Sequence, residues 1–137
     1  MSLFRIFDIA GSGMSAQSLR LNTTASNLSN AQSISSSVDE TYRARQPVFS
    51  TNLSDFMDDY SGAGVKVDGI VESQAPLRKE YEPSHPKADA DGYIYYPNVN
   101  PVEEMANMIS ASRSFQSNVE ILNTSKQMLM RTLSLGE

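Results

Sequence analysis

Few side chains in this sequence have the type and spacing that catalysis or metal binding requires. His85 is the single histidine, set in the turn Pro83-Ser84-His85-Pro86. The chain contains no cysteine for it to activate and no second histidine to share a metal, so it reads as part of a rigid turn. Zero cysteines also remove disulfides, thiolate nucleophiles, zinc knuckles and iron–sulfur ligation, and leave the redox compartment open. Asp89-Ala90-Asp91-Gly92 has the look of a calcium loop. With Gly92 at the sixth position, however, the first and twelfth fall on Lys87 and Asn98, where such a loop needs carboxylates. It reads instead as a turn feeding the strand-like run Tyr93 to Tyr96. The paired acids Asp58-Asp59 and Glu103-Glu104 suit a solvated loop and a first helical turn, and the second pair stabilises a helix N-terminus through the dipole. Met105, Met108, Met128 and Met130 carry the thioethers of a copper site but the spacing of pliable packing residues, suited to an interface that accepts several neighbours. A phosphate-binding glycine loop and a Gly-x-Ser-x-Gly elbow are missing, and the serines have no second histidine as base. The residues thus assign no catalytic group, no metal ligand, no cofactor and no small-molecule substrate, and they predict a chain that is not an enzyme.

Composition and charge shift attention from reactive groups to surfaces. The 137 residues hold 16 acidic and 11 basic side chains, for a net charge of -5. With no basic cluster larger than Arg78-Lys79, the chain lacks the stripe that releases counterions from nucleic acid. Its apolar runs are too short for a membrane span. Asp8 and Gly11-Ser12-Gly13 break the Met1 to Ala16 stretch as a cleavable secretory signal, so any export is expected to proceed without cleavage. From Ile9 to Val38 the sole charge is Arg20, and from Met105 to Ser125 the only charges are Arg113 and Glu120. Solvated helices ordinarily carry Glu and Lys outside; serine, threonine, asparagine and glutamine in their place indicate disorder or a polar face buried against further chains.

The elements that position these surfaces follow from periodicity. Alternate steps of four and three give Leu3, Phe7, Ala10, Met14, Gln17, Leu21, Thr24 and Leu28, a heptad seam that predicts a helix from about Leu3 to Leu28. A second seam runs through Met105, Met108, Ser112, Phe115, Val119, Leu122, Lys126, Leu129 and Leu133, predicting a helix from about Val102 to Leu133. Asn100-Pro101 stands where that helix should start and Gly136 just past its end. Gly11 and Gly13 mark a kink, a late start or a close backbone approach in the first helix. Between the helices, Tyr42, Ala44 and Val48, then Val65, Val67 and Ile70, read as two strands of a hairpin with an acidic tip holding Asp55, Asp58 and Asp59. Five prolines from Pro76 to Pro101 predict extended or turn-like chain there. Ser33 to Ser37 reads as a polar linker. Two long helices joined by so little apolar material are expected to be marginal without neighbours.

The motifs themselves resemble a known family. Residues 7–33, FDIAGSGMSAQSLRLNTTASNLSNAQS, are similar to the N-terminal motif of the bacterial flagellar rod, hook and filament axial proteins. The stretches 64–72 (GVKVDGIVE), 81–93 (YEPSHPKADADGY) and 96–119 (YPNVNPVEEMANMISASRSFQSNV), the last continuing to Gly136, resemble the proximal-rod branch of that family, C type. The likeness covers nearly the whole chain, and its middle and C-terminal motifs are the more specific.

The resemblance implies a non-enzymatic subunit of the basal-body rod, the driveshaft crossing the periplasm. It also implies passage unfolded through the flagellar type III export apparatus and assembly with other rod proteins and copies of itself. The expected fold is mainly α with a β-hairpin insertion. Residues 1–33 and 101–137 would form an antiparallel two-helix coiled coil, and residues 34–100 an extended hairpin and Pro-rich middle. The subunit interface would then use Leu3, Phe7, Met14, Leu21, Leu28, Met105, Met108, Phe115, Val119, Leu122, Leu129 and Leu133. Hairpin contacts would come from Tyr42, Val48, Val65, Val67 and Ile70. A helical adaptor or secreted partner-binding protein that does not polymerise is the alternative.

Overall fold

The computed structural model describes residues 3–52 and 62–135. The acidic tip expected around Asp55, Asp58 and Asp59, the side chain of Leu3 and the stop at Gly136 lie outside the described residues. Helix α1 spans Leu3–Asn30, strands β1 Arg45–Thr51 and β2 Val65–Glu72 follow, then β3 Arg78–Tyr81 and β4 Tyr93–Tyr96, and helix α2 spans Pro101–Leu135. The sequence places both helices within about two residues of these bounds. α1 runs through Gly11 and Gly13 unbroken, because neither interrupts the backbone ladder and the segment holds no proline. α2 begins as its residues dictate: the Asn100 side chain accepts from the Val102 N–H at 3.1 Å, and Pro101 supplies the first helical φ without needing a donor.

The two helices pack antiparallel. Arg20, near the C-terminal end of α1, donates from Nη2 to Asn107 Oδ1 at 3.0 Å, and further along Gly13 lies under Asn118. The strands form two separate antiparallel pairs, β1 with β2 and β3 with β4. In the first, Arg45 pairs with Glu72 and Thr51 with Val65, and Asp68 is an extra residue where the register slips between Val48 and Phe49. β1 starts three residues later than the alternation from Tyr42 suggests, because the Tyr42 hydroxyl is drawn towards α1. The second pair was legible only at β4. Its partner β3 is the run Arg-Lys-Glu-Tyr, whose charges hide it; Arg78 and Lys79 instead lie over the rings of Tyr96 and Tyr93, at 4.2 and 3.8 Å. The linker at Ser33 to Ser37 is tied down by an isolated bridge between Ser35 and Tyr95. Gly92, at φ +82°, turns the chain into β4 where a side chain would run into Tyr81 and Pro83.

What this architecture buries is small. The buried apolar residues are Ala10, Ala16, Ala44, Ile94 and Ala111, joined by Thr23, Thr24, Asn27, Thr41, Glu104 and Ser125. Ile94 and Asn27 are the largest side chains fully enclosed. The accessible surface is 9190 Å², whereas a compact monomer of this mass exposes about 7,100 Å². The fold of one chain therefore leaves much of its apolar surface without cover.

Candidate assembly interface

The line of closest approach between the helices is built of small and polar residues. On α2 the buried positions Glu104, Ala111 and Ser125 fall on one heptad row, with Asn118 completing it. On α1 the buried residues are Ala10, Ala16, Thr23, Thr24 and Asn27. This is a rotation from the expected seam. Ala10 and Thr24 are shared with it, but Phe7, Met14, Leu21 and Leu28 are half-buried at its side, as are Met108, Phe115, Val119, Leu122 and Leu129 on α2. Met105, at 47 % exposure, and Leu133, at 62 %, lie outside the packed line. Small side chains let the helices approach closely, and the longer ones are then displaced to the flanks. The same approach explains Gly13: a Cβ there would sit 2.9 Å from Asn118 Nδ2, whereas one at Gly11 would meet nothing. Gln17 Oε1 is buried in the pair without a partner among the described residues.

A second assembly of residues fixes the strand pair to the helices. The Asn27 carboxamide, 1 % exposed, behaves as a short piece of neighbouring strand. Its Nδ2 donates to the Arg45 carbonyl at 2.8 Å, and its Oδ1 accepts from the Arg45 N–H at 2.9 Å and from the Tyr42 hydroxyl at 2.8 Å. Asn98 does the same from the other side, accepting from the Ala44 N–H at 2.8 Å and donating to the carbonyls of Ser73 and Ala75. Each asparagine thus satisfies backbone groups that no strand reaches. Farther along α1, Ser12 Oγ accepts from the Val65 N–H at 3.0 Å and Arg5 Nη2 donates to the Gly62 carbonyl at 2.9 Å, so the ribbon is also held near the N-terminal half of the helix. Neither asparagine was assigned a contact in the sequence; the only cue is that Asn27 and Asn98 lie inside the quoted motifs 7–33 and 96–119.

Two carboxylates stand out from ordinary behaviour. The backbone N–H of Tyr93 holds the Asp89 carboxyl below its usual value, helped by the Asp91 N–H and the Tyr95 hydroxyl. That makes the loop an Asx turn, with Asp89 Oδ1 accepting from both Asp91 and Tyr93. Burial pushes Glu104 up, against the pull of Asn27, Thr24 and Arg20 and with the help of Glu103. Among the described residues, no group of acids and histidines has the arrangement of a metal site.

The outer surface carries what the inside lacks. Val102, Ile109, Ile121, Met128, Met130 and Leu135 on α2 are all exposed, Ile109 by 55 % and Leu135 by 87 %. Of the hairpin residues, Val48, Val65 and Ile70 are exposed on the ribbon, Val67 is half-buried and Tyr42 is engaged with Asn27. Val102, Ile109 and Met130 share one heptad row and Ile121, Met128 and Leu135 a second, and exposed apolar rows on a helix with few charges mark a surface that binds other proteins. No described helix is long and apolar enough to cross a membrane.

A subunit whose packing is finished by its neighbours is the class of protein that this fold and surface define. The chain belongs to the flagellar basal-body rod protein family. Residues 7–32 match the family model described as flagella basal body rod protein, and residues 90–135 match that of the C-terminal region of the flagellar basal body rod FlgEFG proteins. Flagellar basal-body rod protein FlgC of Escherichia coli O6:H1 is 53 % identical over 137 residues, covering 100 % of both chains. Its counterpart in Salmonella typhimurium is 52 % identical over the same span. That of Borreliella burgdorferi is 34 % identical over 149 residues, with 98 % of each chain covered. The chain is a structural rod subunit of the flagellum, located in the basal body.

Proposed function

We propose that this chain builds the proximal rod, polymerising with copies of itself and with other rod proteins into the shaft that crosses the periplasm, and that it catalyses no reaction. The observation that carries this reading is the exposed apolar row Val102, Ile109 and Met130 of α2, spaced by whole heptads, on a chain whose described residues enclose almost no core. Neighbouring subunits would cover that row and the half-buried flank formed by Phe7, Met14, Leu21 and Leu28. The helical segments 1–33 and 101–137 act as one core, pairing antiparallel in the manner of a coiled coil along the rotated line of small residues. The middle segment, 34–100, reaches outward to stiffen the joint through the ribbon residues Val48, Val65 and Ile70. A chain with so small a core threads the type III export channel unfolded and acquires its final structure at the growing end.

The test is a deletion strain complemented with Ile109→Asp. The variant chain is made and exported, but envelope micrographs show no complete rods and the cells do not swim. Intact rods in the deletion strain itself would instead favour an adaptor that does not polymerise.

A further inference from the structure

Glu104 is 6 % exposed and makes no ion pair among the described residues, where the salt bridges are Arg45–Glu72, Lys66–Asp68 and Arg78–Glu80. It lies where three elements meet. α1 presents Thr24 and Arg20; α2 presents Glu103 and Asn107; β1 presents Arg45, Gln46, Pro47 and Phe49 around a cleft of about 350 Å³. The charged groups there compensate it only in part. Arg20 is directed to Asn107, Arg45 is directed to Glu72 of β2, and Glu103 carries the same charge. Asn27, which acts on Glu104 from α1 together with Thr24 and Arg20, is also the group that holds Arg45 and Tyr42. The carboxylate is thereby connected through one side chain to the base of the ribbon.

We propose that Glu104 is a proton-operated latch on this junction. Uncharged, it lets α1, α2 and the ribbon base close on one another; ionised, it leaves an incompletely compensated charge among them and loosens the ribbon from α1. Burial raises its pKa, so the folded chain holds the proton more tightly than the unfolded one. The penalty is absent below the ordinary value of 4.5, develops as pH rises through the folded value, and is complete above it. Asp89, shifted in the opposite direction, is ionised in both states across most of that range and contributes a constant.

Thermal unfolding of the full-length chain, followed by helical circular dichroism from about pH 5 to about pH 8, tests the latch. The wild-type midpoint falls by about 3 °C more than that of Glu104→Gln across this range, and Glu104→Gln is the more stable at the upper end. Glu120→Gln, altered at an exposed site of the same helix away from the cleft, keeps the wild-type slope. If the dilute chain shows no cooperative melt, the same comparison is made on helical ellipticity, which must rise towards acid pH in wild type and not in Glu104→Gln. Equal pH slopes for wild type and Glu104→Gln, or a less stable Glu104→Gln at about pH 8, overturns the proposal.

Discussion

The helix pair and the ribbon base bury opposite kinds of material. Between α1 and α2 the enclosed residues are mostly alanine, threonine and serine, while large aliphatic side chains remain at the flanks or in solvent. At the ribbon base the enclosed group is an asparagine, with its carboxamide oxygen and nitrogen both engaged. The first region is a hydrophobic surface left open within one chain, and the second is a finished polar joint that sets one geometry. On the proposed function a rod subunit uses both, since its long faces accept different neighbours while its joint holds one angle.

The largest effect should come from placing charge on the unfinished surface. Ile109→Asp removes motility altogether, while the stability of the free chain changes by no more than about 1 kcal/mol, because the side chain is more than half exposed within one subunit. Comparing the swimming phenotype with the melting midpoint of the purified variant separates the two, and a swimming strain would break the contrast between the regions. Next comes the polar joint. Asn27→Leu keeps the volume but leaves the Arg45 N–H and carbonyl and the Tyr42 hydroxyl without their partner, at a cost of about 3 kcal/mol. Trypsin should then cut the ribbon at Arg45 and Lys66 well before it cuts the wild-type chain. An equally protected ribbon in Asn27→Leu would mean that the strand pair holds itself.

Smaller effects test the line between the helices. Gly13→Val drives a branched side chain into Asn118 and destabilises by about 2 kcal/mol, whereas Gly11→Ala meets open space and stabilises by about 1 kcal/mol through helix propensity. Denaturant melts of the two variants should therefore move in opposite directions. Shifts of the same sign would place the close approach elsewhere on α1.

Hydropathy and spacing made much of this architecture legible. The heptad rows fixed both helices, Asn100-Pro101 fixed the start of α2, and alternation around Val48 and Val67 located the ribbon. The rotation of the seam was hidden because the packed line also runs through Ala16, Thr23, Ala111 and Ser125, types that an apolar pattern does not mark. Asn27 and Asn98 were hidden for a related reason. Asparagine is ordinarily a surface residue, and only the positions of Ala44, Arg45, Ser73 and Ala75 reveal which backbone groups each one satisfies. Strand β3 was hidden by its charges, which become favourable once the tyrosines of β4 lie beneath them.

The absence of cysteine makes the central claim directly measurable. Ile109→Cys and Met130→Cys, introduced singly, place one thiol each on the exposed row of α2. Maleimide labelling of each variant is compared between the purified free chain and isolated basal bodies. The account predicts rapid labelling in the free chain and strong protection in the assembled rod. Equal labelling in both states would contradict it, because the row would then be bare in the rod as well.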